Sequence, residues 1–350
     1  MIVSRPRQVN GGPRGLGGEV GVEVSANWRI QTNFLCGGRT IISRKSITAG
    51  IAELPVENDV SKPSNTLRLV FPQWQGGGRP PYHFGAQLLE WLAPPASGPV
   101  EHVPVPKPAD VAIEVENGIV ARAQLLKQQD DAAKLIQKHS PDSIVVIGGD
   151  CLVDLAPFAY LSERYGDDFA ILWVDAHPDI MTPKQWSYAH AMVLGNLMGF
   201  GDEDFSSRVK RPVKPSHVFY AGLEDPSEYE AGFLAEHDLK SASGAALADT
   251  SQPVLDWIKS IGVKHIAVHF DLDVLDLNTF KAQLFANPNV PEGTYDGIAR
   301  GKMTLAQVTR LLKDVNHHAD IVGLGFAEHL PWDAIGLKTM FEELPLIGEP

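Results

Sequence analysis

Three potential metal ligands follow a short apolar stretch near the middle of the chain, each two residues from the next. Residues 170–174 read Ala-Ile-Leu-Trp-Val, and Asp175, His177 and Asp179 come directly after them. In an extended backbone, side chains two residues apart point to the same side. This spacing predicts that the two carboxylates and the imidazole converge on one point.

A second acidic segment repeats the arrangement later in the chain. Residues 266–270 read Ile-Ala-Val-His-Phe, and Asp271 and Asp273 follow on one predicted face of the strand. If the two strands lie side by side in a sheet, both sets of side chains belong to one site. Aspartates and a histidine crowded together would repel one another and lose solvation, so a divalent cation is the simplest reason to assemble them.

The types of these ligands indicate which metal and which reaction to expect. Oxygen ligands with one or two imidazoles suit Mn²⁺, and the carboxylates suffice to bridge two ions about 3.5 to 4 Å apart. Two ions that share a water molecule lower its pKa and supply hydroxide near neutral pH. The pattern therefore predicts hydrolysis at an electron-poor carbon atom.

Strand and helix patterns alternate along the chain from residue 67 onward. Strands are predicted at 67–71, 143–147, 170–174, 217–221, 265–270 and 321–326, and helices at 84–92, 113–138, 152–164, 192–198, 253–261 and 304–315. This alternation predicts an α/β fold with a mainly parallel sheet covered on both faces. In such sheets, ligands bind beyond the carboxyl ends of the strands. The candidate residues that lie at or just past predicted strand ends are Cys151, Asp175, His177, Asp179, Asp271, Asp273 and Glu328.

Composition excludes several classes of protein. The formal net charge is -13, and no basic stripe is present, which argues against binding of nucleic acid. An acidic balance tolerates cationic small-molecule substrates. No apolar run approaches the roughly 20 residues that a membrane helix needs, so no membrane association is expected. The sequence holds only Cys36 and Cys151, and its first 13 residues lack the apolar core of a signal peptide, so a cytoplasmic location is expected.

Residues 1–63 differ in character from the rest of the chain. They hold scattered Gly, Arg, Ser and Asn without sustained periodicity, and the segment 10–18 is dominated by glycine. We interpret them as a flexible N-terminal extension, or alternatively as an irregular arm docked on the body. Residues 64–350 are predicted to form a single domain.

Two acidic motifs and a glycine turn together resemble the ureohydrolase superfamily of arginases, agmatinases and their relatives. The motifs are Asp-Ala-His-Pro-Asp at 175–179, Phe-Asp-Leu-Asp-Val-Leu-Asp at 270–276 and Gly-Gly-Asp at 148–150. The resemblance extends from residue 67 to residue 337. It implies a three-layer α/β/α domain with a binuclear manganese centre that hydrolyses guanidinium groups to urea, commonly in homo-oligomers that are trimers or hexamers.

The resemblance also implies roles for the ligands. Asp175 and Asp271 would bridge the two metal ions. Asp179 would bind the first ion, and His177 and Asp273 would bind the second.

Two further residues match catalytic motifs of the superfamily. His190 resembles the histidine that shuttles protons, and Glu328 resembles the glutamate that anchors the guanidinium group. The alternative interpretations are a histidine on a helix surface and a solvated loop carboxylate, respectively.

The sequence departs from the superfamily pattern at the first metal position. Cys151 stands where the superfamily turn carries a histidine. A thiolate is a softer ligand, so Zn²⁺ or Fe²⁺ are alternatives to Mn²⁺; Cys151 is equally well interpreted as a small buried residue. His269 lies two residues before Asp271, and we hypothesise that it is a substitute ligand or a partner of a ligand.

The substrate side differs from arginases as well. Ile180 and Met181 replace the polar residue that arginases use on the substrate α-carboxylate, and an aspartate near Ser227 is missing. Arginine is therefore not the expected substrate. The expected activity is hydrolysis of a linear C–N bond in a guanidino or amidino compound, with a deacetylase-like amide hydrolase or a catalytically impaired metal-binding relative as alternatives.

Overall fold

Eight strands form one sheet in which every pairing is parallel. The computed structural model describes residues 65–110 and 113–348. Within this part of the chain the strands are Thr66–Phe71 (β1), Val100–His102 (β2), Val115–Glu116 (β3), Ile119–Val120 (β4), Ser143–Gly148 (β5), Phe169–Val174 (β6), Val218–Ala221 (β7), Lys240–Ala242 (β8), His265–Asp271 (β9) and Asp320–Ala327 (β10). Strands β3 and β4 pair with each other as a separate antiparallel hairpin.

The order of strands in the sheet places the two acidic motifs next to each other. The order is β2-β1-β5-β10-β9-β6-β7-β8, so β6 and β9 are direct neighbours near the centre. Val174 pairs with Phe270, which brings the residues that follow both strands to the same edge. Because the strands are parallel, this edge is the carboxyl edge at which α/β proteins bind ligands.

Helices cover both faces of the sheet. In the described part of the chain the α-helices are Pro81–Leu92 (α1), Arg122–His139 (α2), Leu155–Tyr165 (α3), Val193–Leu197 (α4), Glu203–Ser206 (α5), Glu228–Glu236 (α6), Gln252–Ile261 (α7), Leu305–Asn316 (α8) and Trp332–Glu343 (α9). None of these helices has the length and apolar character needed to cross a membrane.

Strand β6 shows how the sheet separates two hydrophobic cores. Its alternate side chains Phe169, Ile171 and Trp173 pack into a core that includes residues of α2, α3 and α4. The intervening side chains, Ala170, Leu172 and Val174, pack into a second core with residues of α7 and α8. Burial on both faces explains the continuous apolar run in this strand. The predicted three-layer α/β/α fold with a mainly parallel sheet is confirmed.

One helix prediction was wrong at its start. The pattern predicted a helix from residue 113, but α2 begins at Arg122 and is preceded by the β3–β4 hairpin. Asn117 and Gly118, with φ of 50° and 81°, form the hairpin turn, and Ala121 is also left-handed at 56°. Positive φ values are incompatible with an α-helix, so the apolar residues before Arg122 belong to the hairpin.

The other element predictions agree with the structure within a few residues. At α8, the predicted cap is a capping box, in which the Thr304 hydroxyl accepts a hydrogen bond from the Gln307 backbone and the Gln307 side chain accepts one from Thr304. The described residues lie within one compact unit. The predicted extension at 1–63 lies outside the described residues and stays a prediction, as does the boundary at residue 64.

Candidate metal centre

A side-chain hydrogen bond turns the backbone at the end of β6. The Asp175 Oδ1 atom accepts a hydrogen bond from the His177 backbone N–H at 2.7 Å, and Asp179 has a positive φ of 49°. The predicted extended backbone was therefore wrong here. Aspartate favours such local turns because its side chain bonds to the backbone two residues on.

The end of β9 is built in the same way. Asp271 Oδ1 accepts a hydrogen bond from the Asp273 backbone N–H at 2.7 Å. Asp273 lies in a single 3₁₀ turn, Leu272–Val274, and not in the strand. Asp175, His177, Asp271 and Asp273 converge as the spacing predicted, but a turn produces this convergence and not strand alternation.

The first group of potential ligands is fully buried. The ligand atoms of Cys151, Asp175, His269 and Asp271 all lie within 4.8 Å of one another. The Cys151 thiol donates a hydrogen bond to Asp271 Oδ2 at 3.0 Å. One sulfur, one nitrogen and carboxylate oxygens thus face a common point.

A second group lies on the other side of Asp175. The ligand atoms of Asp175, His177 and Asp273 also lie within 4.8 Å of one another. His177 Nδ1 is 3.2 Å from Asp273 Oδ2 and 3.5 Å from Asp175 Oδ1. Asp271, Asp273 and Glu328 form a third such group. Asp175, Asp271 and Asp273 each belong to two groups, so the three groups form one continuous cluster.

Asp179 lies in the same cavity as the ligand groups but outside them. It is buried and lines the same cavity, but it belongs to none of the three groups formed by described residues. Its role as a ligand of the first metal stays a prediction.

Several buried polar atoms at this site have no hydrogen-bond partner among the described residues. Such atoms are costly to bury unless something else binds them. They are Asp179 Oδ2, His269 Nε2, Asp273 Oδ1 and Glu328 Oε1. Their number and their oxygen and nitrogen chemistry fit a site that holds cations.

The acidity of these groups supports the same conclusion. Burial, together with the neighbouring Asp273, raises the pKa of Asp271 well above its usual value. Burial and Asp175 do the same to the pKa of Asp179. Burial and Asp271 raise the pKa of the Cys151 thiol. Without a cation these groups resist ionisation, and a bound cation would reverse that preference.

His190 and Glu328 lie beside the ligand groups in a cavity of about 380 Å³. His190 Nδ1 is 2.9 Å from the Gly76 carbonyl, which can only accept, so Nδ1 carries the proton. Its Nε2 is 3.9 Å from Glu328 Oε1. Burial lowers the pKa of His190 below its usual value, so the ring is neutral at neutral pH. Glu328 is only 3% exposed, which excludes the solvated loop carboxylate.

Sequence reasoning missed three residues that shape this site. Asp154 Oδ2 lies 2.7 Å from His269 Nδ1 and fixes that ring. Trp173 Nε1 donates to Asp175 Oδ2 at 3.0 Å. Arg79 lines the cavity. The one available signal was a carboxylate at position 154 within the otherwise apolar run 152–156.

A parallel sheet with buried groups of potential metal ligands at its carboxyl edge is typical of metal-dependent hydrolases that have a three-layer α/β/α fold. The model of the arginase family matches residues 85–332. The arginase of Coccidioides posadasii is 24% identical over 250 residues, which cover 66% of this chain and 71% of that protein.

Solved structures agree on the fold. Entamoeba histolytica arginase in complex with L-ornithine has a TM-score of 0.65 at 17% identity, covering 77% of this chain and 92% of that chain. A putative agmatinase from Clostridium difficile has a TM-score of 0.52 at 20% identity, covering 79% and 92%. The chain belongs to the arginase family, and it is a hydrolase of amidino C–N bonds.

Proposed function

We propose that this protein hydrolyses a small guanidino compound other than arginine to urea, with divalent metal ions bound at the candidate metal centre. The observation that carries the proposal is the adjacency of β6 and β9, which gathers the buried ligand groups in one cavity with His190 and Glu328. Bound divalent ions supply Lewis acidity and lower the pKa of a water molecule.

The metal ligands of this proposal are the members of the first two groups. By the resemblance to the superfamily, Asp175 and Asp271 would bridge, while His177 and Asp273, which share a group with Asp175, would complete the second position. Oxygen and imidazole ligands at that second position favour Mn²⁺. The thiol of Cys151 makes Zn²⁺ or Fe²⁺ the better match for the first position.

Three residues would perform the remaining steps. Glu328, buried and with a free Oε1 atom, would bind the cationic guanidinium group. Asp179, with its unpartnered Oδ2, would orient the attacking water. His190, whose Nε2 atom faces the cavity beside Glu328, would transfer a proton to the leaving amine.

Two features of the cavity wall argue against arginine as the substrate. Met181 lines the cavity where arginases use a polar side chain on the α-carboxylate. The aspartate that arginases carry near Ser227 is absent, and Ser227 itself, a neutral residue that caps α6, lines the cavity. A substrate without the α-amino acid group fits these walls better.

The test is urea release by metal-loaded protein from a panel of guanidino compounds, with acetylated amines as the comparison. Urea from a guanidino compound other than arginine is the expected result. Acetate release without urea would instead support a deacetylase-like amide hydrolase. Absence of turnover with about one or no metal per chain would support a catalytically impaired relative, and arginine as the best substrate would contradict the substrate assignment.

We also propose a homo-oligomeric assembly and a cytoplasmic location. The first rests on the resemblance to the superfamily, and the second on the low cysteine content, with Cys151 present as a free buried thiol. Light scattering during size-exclusion chromatography tests the assembly, since a monomeric mass would contradict it.

A further inference from the structure

His269 occupies a position at the metal centre that other residues hold in place. Its side chain is completely buried, and its Nε2 atom has no hydrogen-bond partner among the described residues. This atom lies 3.9 Å from Asp175 Oδ2 and within the ligand group that includes Cys151 and Asp271. An unpartnered buried nitrogen that faces a thiol and two carboxylates is placed as a metal ligand would be.

Asp154 determines which nitrogen of His269 is free. Asp154 Oδ2 lies 2.7 Å from His269 Nδ1, so when Asp154 is ionised it accepts the Nδ1 proton and Nε2 carries a lone pair. The Nε2 lone pair is then directed toward Cys151, Asp175 and Asp271. A carboxylate that orients a histidine in this way is the usual partner of a metal-binding imidazole.

The two neighbouring strands are adapted to this imidazole. In the sheet register His269 pairs with Trp173 of β6 on one side and with Gly325 of β10 on the other. The Trp173 ring stacks on the imidazole with centroids 3.7 Å apart and planes inclined by 11°. A Cβ atom at Gly325 would lie 2.1 Å from Asp154 Oδ2, so glycine is needed to admit the carboxylate.

We infer that His269, oriented by Asp154, supplies the nitrogen ligand of the first metal position and replaces the histidine that the superfamily carries at position 151. The first position then combines this imidazole with the Cys151 sulfur and two carboxylates. The inference rests on the proposed metal-dependent function and deepens it.

A consequence is that the two metal positions differ in the softness of their ligands. The second position offers only the imidazole of His177 and the carboxylates of Asp175 and Asp273. Thiolate ligands select Zn²⁺ over Mn²⁺, whereas carboxylate-rich sites accept Mn²⁺. Protein given one equivalent each of Zn²⁺ and Mn²⁺ per chain is therefore expected to bind zinc at the first position and manganese at the second.

The first experiment measures metal binding without turnover, by zinc competition against a chromophoric chelator and by elemental analysis. His269→Ala is expected to lose about one metal per chain. Asp154→Asn, which preserves the shape of the side chain, is expected to bind zinc ~10–100-fold more weakly at the first position. His190→Ala is the matched control in the same cavity, and it should retain the metal content of the unsubstituted protein.

The second experiment needs no substitution, so failure of a variant to fold cannot obscure it. X-ray absorption of the protein loaded with one Zn²⁺ per chain should show a sulfur at about 2.3 Å and imidazole nitrogen at about 2.0–2.1 Å. A spectrum without sulfur or without imidazole, or unchanged zinc affinity in both His269→Ala and Asp154→Asn, would overturn the assignment. Normal metal binding without urea release would contradict the proposed function but not the assignment of His269 as a ligand.

Discussion

Two side chains of opposite charge face the cavity and bear on its choice of substrate. Arg79 is the one lysine or arginine among the described residues that line the cavity, and no described carboxylate lies within ion-pairing distance of it. Asp225 also lines the cavity and is exposed. By contrast, the nearby Glu224 is already neutralised by Lys302 at 2.6 Å. We therefore expect the end of the substrate distant from the guanidino group to be bound by Arg79 if it is acidic and by Asp225 if it is basic.

We expect Arg79→Gln to raise KM at least ~10-fold for a guanidino acid and to leave KM for a guanidino amine of equal length nearly unchanged. A hydrogen bond to a charged group contributes about 1.5–3 kcal/mol, which corresponds to that factor or more. Asp225→Asn is the matched control and should show the opposite preference. Steady-state urea assays on both substrates provide the measurement, and equal effects of Arg79→Gln on both would refute a role in tail recognition.

Cys151 offers a second test at the level of a single atom. Cys151→Ser keeps the size of a side chain that is only 1% exposed but replaces sulfur with oxygen. We expect zinc affinity to fall at least ~10-fold while manganese affinity changes much less, because a thiolate contributes mainly to soft metals. In cobalt-loaded protein the thiolate-to-cobalt absorption should disappear. Persistence of that absorption would exclude Cys151 as a ligand.

The spacing of residues predicted some members of the site and not others, for a physical reason. Asp175, His177, Asp271 and Asp273 follow predicted strands, so local sequence alone places them at the sheet edge. Asp154 contacts His269 only because β10 separates β5 from β9 and carries a glycine at the required register. Such a contact depends on strand order and register, which no local pattern contains.

At the level of elements, the close fit of β10 against the turn after β5 makes Gly325 a test of the site. Gly325→Ala would push the new methyl group into the Asp154 carboxylate, because its Cβ atom would lie 2.1 Å from Oδ2. We expect a loss of about 1–3 kcal/mol in unfolding free energy, as for other overpacked sites, together with weaker zinc binding. Urea denaturation and chelator competition measure the two effects.

A glycine in an open position provides the control for this substitution. Gly336 lies within α9, and a Cβ atom there would meet nothing within 4 Å among the described residues. Gly336→Ala should stabilise the protein by about 0.5–1 kcal/mol, since glycine is unfavourable inside a helix, and it should leave zinc binding unchanged. Equal effects of the two substitutions on zinc affinity would show that the Asp154 contact is irrelevant to the metal.

Strands and helices were predicted correctly where a segment carried one sequence pattern, and wrongly where a helical pattern and a hairpin pattern overlapped. Strand β6 is apolar on both faces because it contacts both cores, and its continuous apolar run predicted a buried strand. The segment before α2 is apolar at helical spacing, but the left-handed Asn117 and Ala121 redirect it into a hairpin. The Asn-Gly pair at 117–118 adopts positive φ readily and is itself a local hairpin signal, so the sequence held both patterns and the helical one was wrongly followed across the turn.

For the whole molecule, the candidate metal centre lowers the stability of the metal-free protein. Without cations, buried carboxylates face one another across β6 and β9, and burial with Asp273 raises the pKa of Asp271. Ions that bind only the folded state stabilise it, by about 2.7 kcal/mol at a concentration 100-fold above Kd. Metal-free protein should therefore melt roughly 5–10 °C below metal-loaded protein, at about 2–4 °C per kcal/mol.

Asp271→Asn should reverse this balance. The substitution replaces a buried carboxyl group, whose ionisation burial and Asp273 oppose, with a neutral amide whose carbonyl can still accept the Asp273 N–H. We expect the metal-free variant to melt higher than the metal-free parent, by an amount on the order of 1–2 kcal/mol in unfolding free energy, and to gain little when metal is added. Asp276→Asn is the control: Asp276 belongs to the same motif but to none of the ligand groups of described residues, so this variant should keep the full metal-induced rise. Calorimetry with and without chelator measures both effects, and a metal-free Asp271→Asn protein that melts below its parent would mean that the carboxylates stabilise the fold by other contacts.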